Sequence, residues 1–162
     1  MVKKYRSLDP YGKDAVTAVL DCEYKRCQDN EQKVIEIFPT RRYLQPASAG
    51  YGNFNDDASY EMVDLVKRPP VGTSFIIAVN GKSMEPTYSN GDLVFVQAQK
   101  TIKHGEIGLF AKGGDLYIKE SGTEGLVSHN KDPKYALIVA TMDEPIEVEG
   151  KIIGICTPDY LQ

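Results

Sequence analysis

The chain has 162 residues, of which 41% are hydrophobic and 26% charged, with a formal net charge of -4; that is one globular domain's worth of sequence, long enough to bury about 70% of its unfolded surface. The acidic balance argues against a surface built to neutralise nucleic-acid phosphates. There is no apolar run near the ~20 residues a membrane span needs, and no apolar segment after the basic start Met1-Val2-Lys3-Lys4 to make a signal peptide; Cys22, Cys27 and Cys156 form no even framework and no Cys-x-x-Cys pair, so the expectation is a cytoplasmic protein with reduced thiols and no membrane contact.

In chain order, residues 9–28 read as one helix. Asp9 is placed to cap it, Pro10 suits the first helical position, and Val16, Val19, Leu20 and Cys27 recur near helical spacing. Residues 1–33 are therefore expected to form an N-terminal helical connector. A short apolar stretch, Val34 to Phe38, ends at Pro39. The chain then turns loop-like from Arg41 to Asn53, rich in small residues, with Pro46, Gly50 and Gly52, so 34–59 is expected to be a strand plus a linker.

From Tyr60 onward short strand-like runs alternate with turn signals. The expected strands are Tyr60–Lys67, Phe75–Asn80, Leu93–Ala98, Ile107–Ala111, Leu116–Glu120, Leu126–His129, Ala136–Ala140 and Lys151–Cys156, with turns at Asn80-Gly81, Asn90-Gly91, Gly113-Gly114 and Asp132-Pro133. Residues 60–162 should thus form a mostly β body, either curved sheets or a barrel-like closure. The apolar strand Lys151–Cys156 is a candidate dimer surface.

The densest chemical signal is Val79-Asn80-Gly81-Lys82-Ser83-Met84-Glu85-Pro86-Thr87-Tyr88, running on to Asn90-Gly91-Asp92-Leu93-Val94. A strand ends at Asn80-Gly81, so Ser83 projects from a rigid edge. Backbone N–H groups at the start of a helical turn lack partners and can hold an oxyanion. Serine is equally a favoured helix cap. A phosphate loop is excluded, because Ile76 stands where such a loop needs its first glycine.

A serine nucleophile needs a base. His104 and His129 both fall in turns, where surface histidines are common. Lys119 lies in the strand-like run Leu116-Tyr117-Ile118-Lys119, 36 residues after Ser83. A free lysine is neutral in only about one molecule in two thousand at pH 7, but burial lowers its pKa. The alternative is an ordinary exposed strand lysine.

Together, Gly81-Lys82-Ser83-Met84-Glu85-Pro86-Thr87, Asn90-Gly91-Asp92-Leu93-Val94 and Tyr117-Ile118-Lys119 resemble the LexA / phage CI repressor family of self-cleaving serine–lysine peptidases. Ala47-Ser48-Ala49-Gly50 resembles the family's Ala-Gly cleavage site, 34 residues before the serine. The resemblance spans about residues 34–160. It implies a mostly β peptidase fold with Ser83 as nucleophile and Lys119 as general base. Ala49 would be the attacked carbonyl and Gly50 the leaving amine, with the backbone N–H of Ser83, joined by that of Lys82, as oxyanion hole. It implies no metal and no cofactor. The implied partners are a second copy of the chain and a RecA–single-stranded-DNA filament that promotes cleavage. Operator DNA would be reached only through a helix-turn-helix domain that these 162 residues lack, which points to the C-terminal region of a prophage or SOS-type repressor. Other readings are a UmuD-like subunit of a translesion polymerase, a signal-peptidase-like enzyme, for which an anchor is missing, and a non-catalytic dimerisation module.

Overall fold

A computed structural model of the chain describes residues 2–29, 36–44 and 59–161. It divides into two compact units, Met1–Ile35 and Glu36–Gln162. In the first, α1 (Val2–Arg6) precedes α2 (Pro10–Asp29), so the single expected helix has a short companion. Asp9 caps α2 as expected: its carboxylate accepts from the Gly12 N–H (2.7 Å) and its carbonyl from the Lys13 N–H (3.1 Å). Val16, Val19, Leu20 and Tyr24 on α2 are exposed.

The second unit is mostly β, with β1 (Phe38–Tyr43), β2 (Tyr60–Leu65), β3 (Phe75–Ala78), β4 (Leu93–Ala98), β5 (Ile107–Lys112), β6 (Asp115–Ser121), β7 (Leu126–Val127) and β8 (Glu147–Ile155). They form one sheet in the order β2-β1-β3-β4-β8-β5-β6-β7. Its outer strands are β2 and β7, so the sheet is open and the barrel-like alternative does not hold. Register shifts between Phe95 and Val96 on β4, and between Leu109 and Phe110 on β5, mark bulges of the kind that curve a sheet.

Apolar residues are buried on both faces, which is why β3 and β4 read as continuous apolar runs rather than alternating ones. Phe75, Ile77, Val94, Val96, Leu109, Leu116, Ile118 and Ile152 build one core, joined by Val79 and Met84 from the loop after β3. Leu65, Ile76, Phe95 and Cys156 build a second core on the other face, where Tyr160 packs edge-on against Phe95 at 5.1 Å.

Two local expectations are revised. Arg41 to Tyr43 were expected in the linker but belong to β1, where the partner strand β2 supplies the hydrogen bonds that a loop would lack. Ala136–Ala140 is not a strand; it makes a single bridge, Ile138 to Leu126, beside the short β7. Lys151–Ile155 forms the end of β8, where β4 pairs with it as far as Ile155 and β5 only as far as Lys151, and Cys156 lies just beyond the strand. Among the described residues no helix is long and apolar enough to cross a membrane.

All strand neighbours are antiparallel except β1 and β3, which run parallel with Arg42 level with Ile76. The C-terminal ends of these two strands therefore point the same way. β1 ends at Tyr43, and the Leu44 N–H beyond it donates to the Ser59 carbonyl just before β2 (3.1 Å). β3 gives onto the loop that carries Ser83.

The central strand has little tolerance for added volume. A Cβ on Gly150 would stand 2.5 Å from Val96 Cγ1 and 2.7 Å from the Gln97 carbonyl oxygen. Gly150→Ala is expected to lower unfolding stability by about 1–3 kcal/mol, the range for overpacking a close-packed interior, read as a lower urea midpoint at unchanged slope.

Candidate active site

The loop from β3 to β4 is closed at its base by two backbone bonds, Val79 N–H to Asp92 carbonyl and Gly91 N–H to Val79 carbonyl, both 2.8 Å. The Asn90 side-chain carbonyl also accepts from the Gly81 N–H (2.7 Å). Gly81 and Gly91 sit at positive φ (85° and 92°), where a Cβ would be strained, which explains the two Asn-Gly pairs. Inside this clasp the chain makes a tight turn. Glu85 N–H donates to the Lys82 carbonyl (3.2 Å), and Thr87 and Tyr88 N–H both donate to the Met84 carbonyl (2.8 and 3.0 Å). Met84 is 1% exposed and anchors the turn in the first core.

Ser83, half-buried, thus stands on a turn pinned from below. From the side, Asn130 holds it: its N–H donates to the Ser83 carbonyl (3.0 Å) and its side-chain amide to the Lys82 carbonyl (2.9 Å). Among the described residues the N–H groups of Lys82 and Ser83 have no acceptor, so two adjacent donors stand beside the Ser83 hydroxyl.

Lys119 comes from β6. The strand register pairs it with Gly108 on β5, and Tyr117 with Phe110. Leu116 and Ile118 face the first core, so Lys119 and Tyr117 occupy the opposite face. Gly108 has no side chain, and Ile102 and Phe110 close over it. Lys119 is 5% exposed, and burial alone brings its pKa down from 10.5 to about 8. Among the described residues no carboxylate pairs with its amine.

Ser83 and Lys119 line the same two hollows: a narrow cleft of about 20 Å³, shared with Val79 and Met84, and a cavity of about 460 Å³ that continues along Ser128 and the segment Tyr135–Ile138. The Ser83 hydroxyl and the Lys119 amine make no hydrogen bond in this state. Catalytic contacts are often long before substrate is seated. Neither histidine lines these hollows. His104 is exposed in its turn, and His129 is held by Thr87 and Glu120. Ala49 and Gly50 lie outside the described residues. No cluster of metal-ligating side chains occurs among the described residues.

Two parts of this site are not legible in the sequence. Ser128 is 8% exposed, its hydroxyl is buried without a partner among the described residues, and the residue lines the same cavity. The Tyr135–Ile138 wall overlaps Ala136–Ala140, which was expected as a strand. Nothing local marks either, because both depend on where β7 delivers the chain beside β6.

A turn-borne serine with N–H donors unpaired among the described residues, opening on a buried lysine of lowered pKa, is an arrangement suited to attack on a carbonyl. Comparison with known proteins agrees. Residues 42–153 match the family model of S24-like peptidases. The chain belongs to the S24-like peptidase family. The match spans Ala49, Gly50, Ser83 and Lys119. Among curated proteins the chain is similar to the LexA repressor of Albidiferax ferrireducens, at 30% identity over 103 residues, 62% of this chain and 45% of that protein. It is also similar to the LexA repressor of Verminephrobacter eiseniae, at 33% over 86 residues, 50% of this chain and 38% of that protein. The chain spans less than half the length of these relatives. The S24-like body accounts for both cores and for both hollows.

The buried lysine has a stability consequence. Its folded pKa lies below the unfolded one, so between about 8 and 10.5 the unfolded chain binds more protons, and stability rises with pH across that window. Below it, the charged amine costs the fold up to about 3 kcal/mol. Lys119→Met is expected to stabilise the protein at pH 7 by about 1–3 kcal/mol. The gain should shrink as pH rises through the window, followed by urea unfolding at each pH.

Proposed function

We propose that this chain is the self-cleaving regulatory region of a LexA-like transcriptional repressor, cutting its own Ala49–Gly50 bond with Ser83 and Lys119. Neutral Lys119 takes the proton from the Ser83 hydroxyl as the oxygen attacks the Ala49 carbonyl carbon. The N–H groups of Ser83 and Lys82 hold the resulting oxyanion. On collapse, the Ala49–Gly50 bond breaks and the proton passes from Lys119 to the Gly50 nitrogen. Water, deprotonated by the same lysine, then releases Ala49 from the Ser83 ester.

The observation that carries this reading is the shared opening of Ser83 and a buried Lys119, unpaired among the described residues, onto one cavity. The parallel pairing of β1 and β3 adds to it. Leu44 leaves β1 about level with Ala78, one strand spacing away, so the segment bearing Ala49 starts at the sheet end that bears Ser83. A substrate tethered this way reacts at high effective concentration. A balance between docked and undocked loop supplies the brake, and a RecA–single-stranded-DNA filament is the proposed partner that shifts it. Dimerisation, operator binding through a separate helix-turn-helix domain and a cytoplasmic location complete the proposal, after the LexA repressors that the chain resembles.

Incubation of the purified protein should yield fragments ending at Ala49 and starting at Gly50, seen by intact mass. The rate should climb about tenfold per pH unit below 8 and level off above it, following the neutral amine. Ser83→Ala and Lys119→Ala should abolish it. Lys119→Arg should stay inactive to pH 10, since a guanidinium does not deprotonate. Cleavage by Lys119→Ala at the parent rate would overturn the assignment.

A further inference from the structure

We propose that His129 is a positioning residue that sets the Ser83 turn against the Lys119 strand, through one hydrogen bond to each. The inference rests on the serine–lysine reading and assigns a role to the histidine that this chemistry leaves unused.

Each side of the imidazole is committed. Nδ1 lies 2.6 Å from the Thr87 hydroxyl, and Nε2 lies 2.8 Å from the Glu120 carboxylate. Thr87 belongs to the Ser83 turn, to which its N–H is tied through the Met84 carbonyl. Glu120 is the residue after Lys119 on β6. The three side chains therefore form a strap from the turn that carries the hydroxyl to the strand that carries the amine.

The donor inventory fits this strap. A carboxylate only accepts, so in neutral His129 the proton sits on Nε2 and Nδ1 accepts from the Thr87 hydroxyl. In protonated His129 both nitrogens donate, to Glu120 and to the Thr87 oxygen. The strap holds in either state, so it acts as a fixed spacer.

The surrounding bonds converge on the same purpose. Asn130, the next residue, grips the Lys82 and Ser83 carbonyls. Glu120 pairs across the sheet with Val127, which fixes the chain just before Ser128, His129 and Asn130. Residues 128–130 thus touch the turn at Lys82, Ser83 and Thr87, and touch β6 at Glu120. Proton transfer from Ser83 to Lys119 requires a separation held within a fraction of an ångström, and a misplacement near 1 Å costs about a hundredfold in rate. Thr87 is exposed, and His129 and Glu120 are only partly buried, so the strap contributes little to global stability. Its effect should fall on the reaction.

The test uses the full chain and the variants His129→Ala, Thr87→Val, Glu120→Ala, Glu120→Gln and the double Thr87→Val/Glu120→Ala. Three quantities are read: self-cleavage rate at pH 10, where Lys119 is already neutral; the rate at which a fluorophosphonate labels Ser83; and the urea midpoint. His129→Ala, Thr87→Val and Glu120→Ala should each lose about tenfold or more in both rates at near-parent midpoints. The double variant should be no slower than its slower parent, because both act through His129. Glu120→Gln, which keeps an acceptor, should recover most of the rate lost in Glu120→Ala. Thr87→Val removes one exposed hydroxyl and keeps the test informative if His129→Ala misfolds. Parent-like rates in both His129→Ala and Thr87→Val, or losses that merely follow the urea midpoint, would overturn the inference. Ser83→Ala and Lys119→Ala run alongside. If they are dead while His129→Ala is parent-like, only the positioning role fails. If they still cleave, or the parent neither cleaves nor labels, the serine–lysine reading falls and takes this one with it.

Discussion

A primary amine kept from water with no counter-ion among its described neighbours is the constraint on which the rest of the Glu36–Gln162 unit depends. Charging Lys119 where it stands costs free energy, because burial strips most of its hydration and no carboxylate among the described residues pairs with it. The residue stands on β6, whose Leu116 and Ile118 lie in the first core, and pairs in register with Gly108 of β5. At pH 7 about one molecule in ten then carries a neutral amine, against about one in two thousand for a free lysine. Stability at neutral pH is traded for a base.

The sheet order turns that local chemistry into a site. β3 and β6 are not neighbours; β4, β8 and β5 lie between them. Ser83 and Lys119 nevertheless line the same hollows, because the loop after β3 carries Met84 into the core beside residues of β5 and β6. The stretch after β7 then reaches back to hold the turn at Lys82, Ser83 and Thr87. A clasp at Val79, Gly91 and Asp92 on one side and Asn130 with His129 on the other leave the turn little freedom. The one parallel pairing, β1 with β3, directs the proposed substrate segment and the proposed nucleophile to the same end of the sheet.

Much of the fold was legible because it is carried by local signals. Asp9-Pro10 marks the start of α2, Leu93–Ala98 matches β4 residue for residue, and the Asn-Gly pairs fall where the backbone takes positive φ. The failures have a common cause. Arg41 to Tyr43 look like a loop until β2 pairs with them, and Ala136–Ala140 looks like a strand that finds only one bridge. Strand character depends on a partner, and the partner is distant in sequence. His129 was legible only as a turn histidine, since nothing near it in sequence announces Thr87, 42 residues away. Ser128 carried no signal at all.

By itself the sequence determined the class of fold, the Ser83 and Lys119 candidates and their family resemblance, because these rest on residue types and spacings along the chain. Only the tertiary structure decided that the sheet is open, that Lys119 is buried without a counter-ion among the described residues, and that it shares a cavity with Ser83. The physical reason is desolvation. A lysine on an amphipathic strand has the same sequence signature whether its amine faces water or the interior, and only the tertiary packing around β6 settles which.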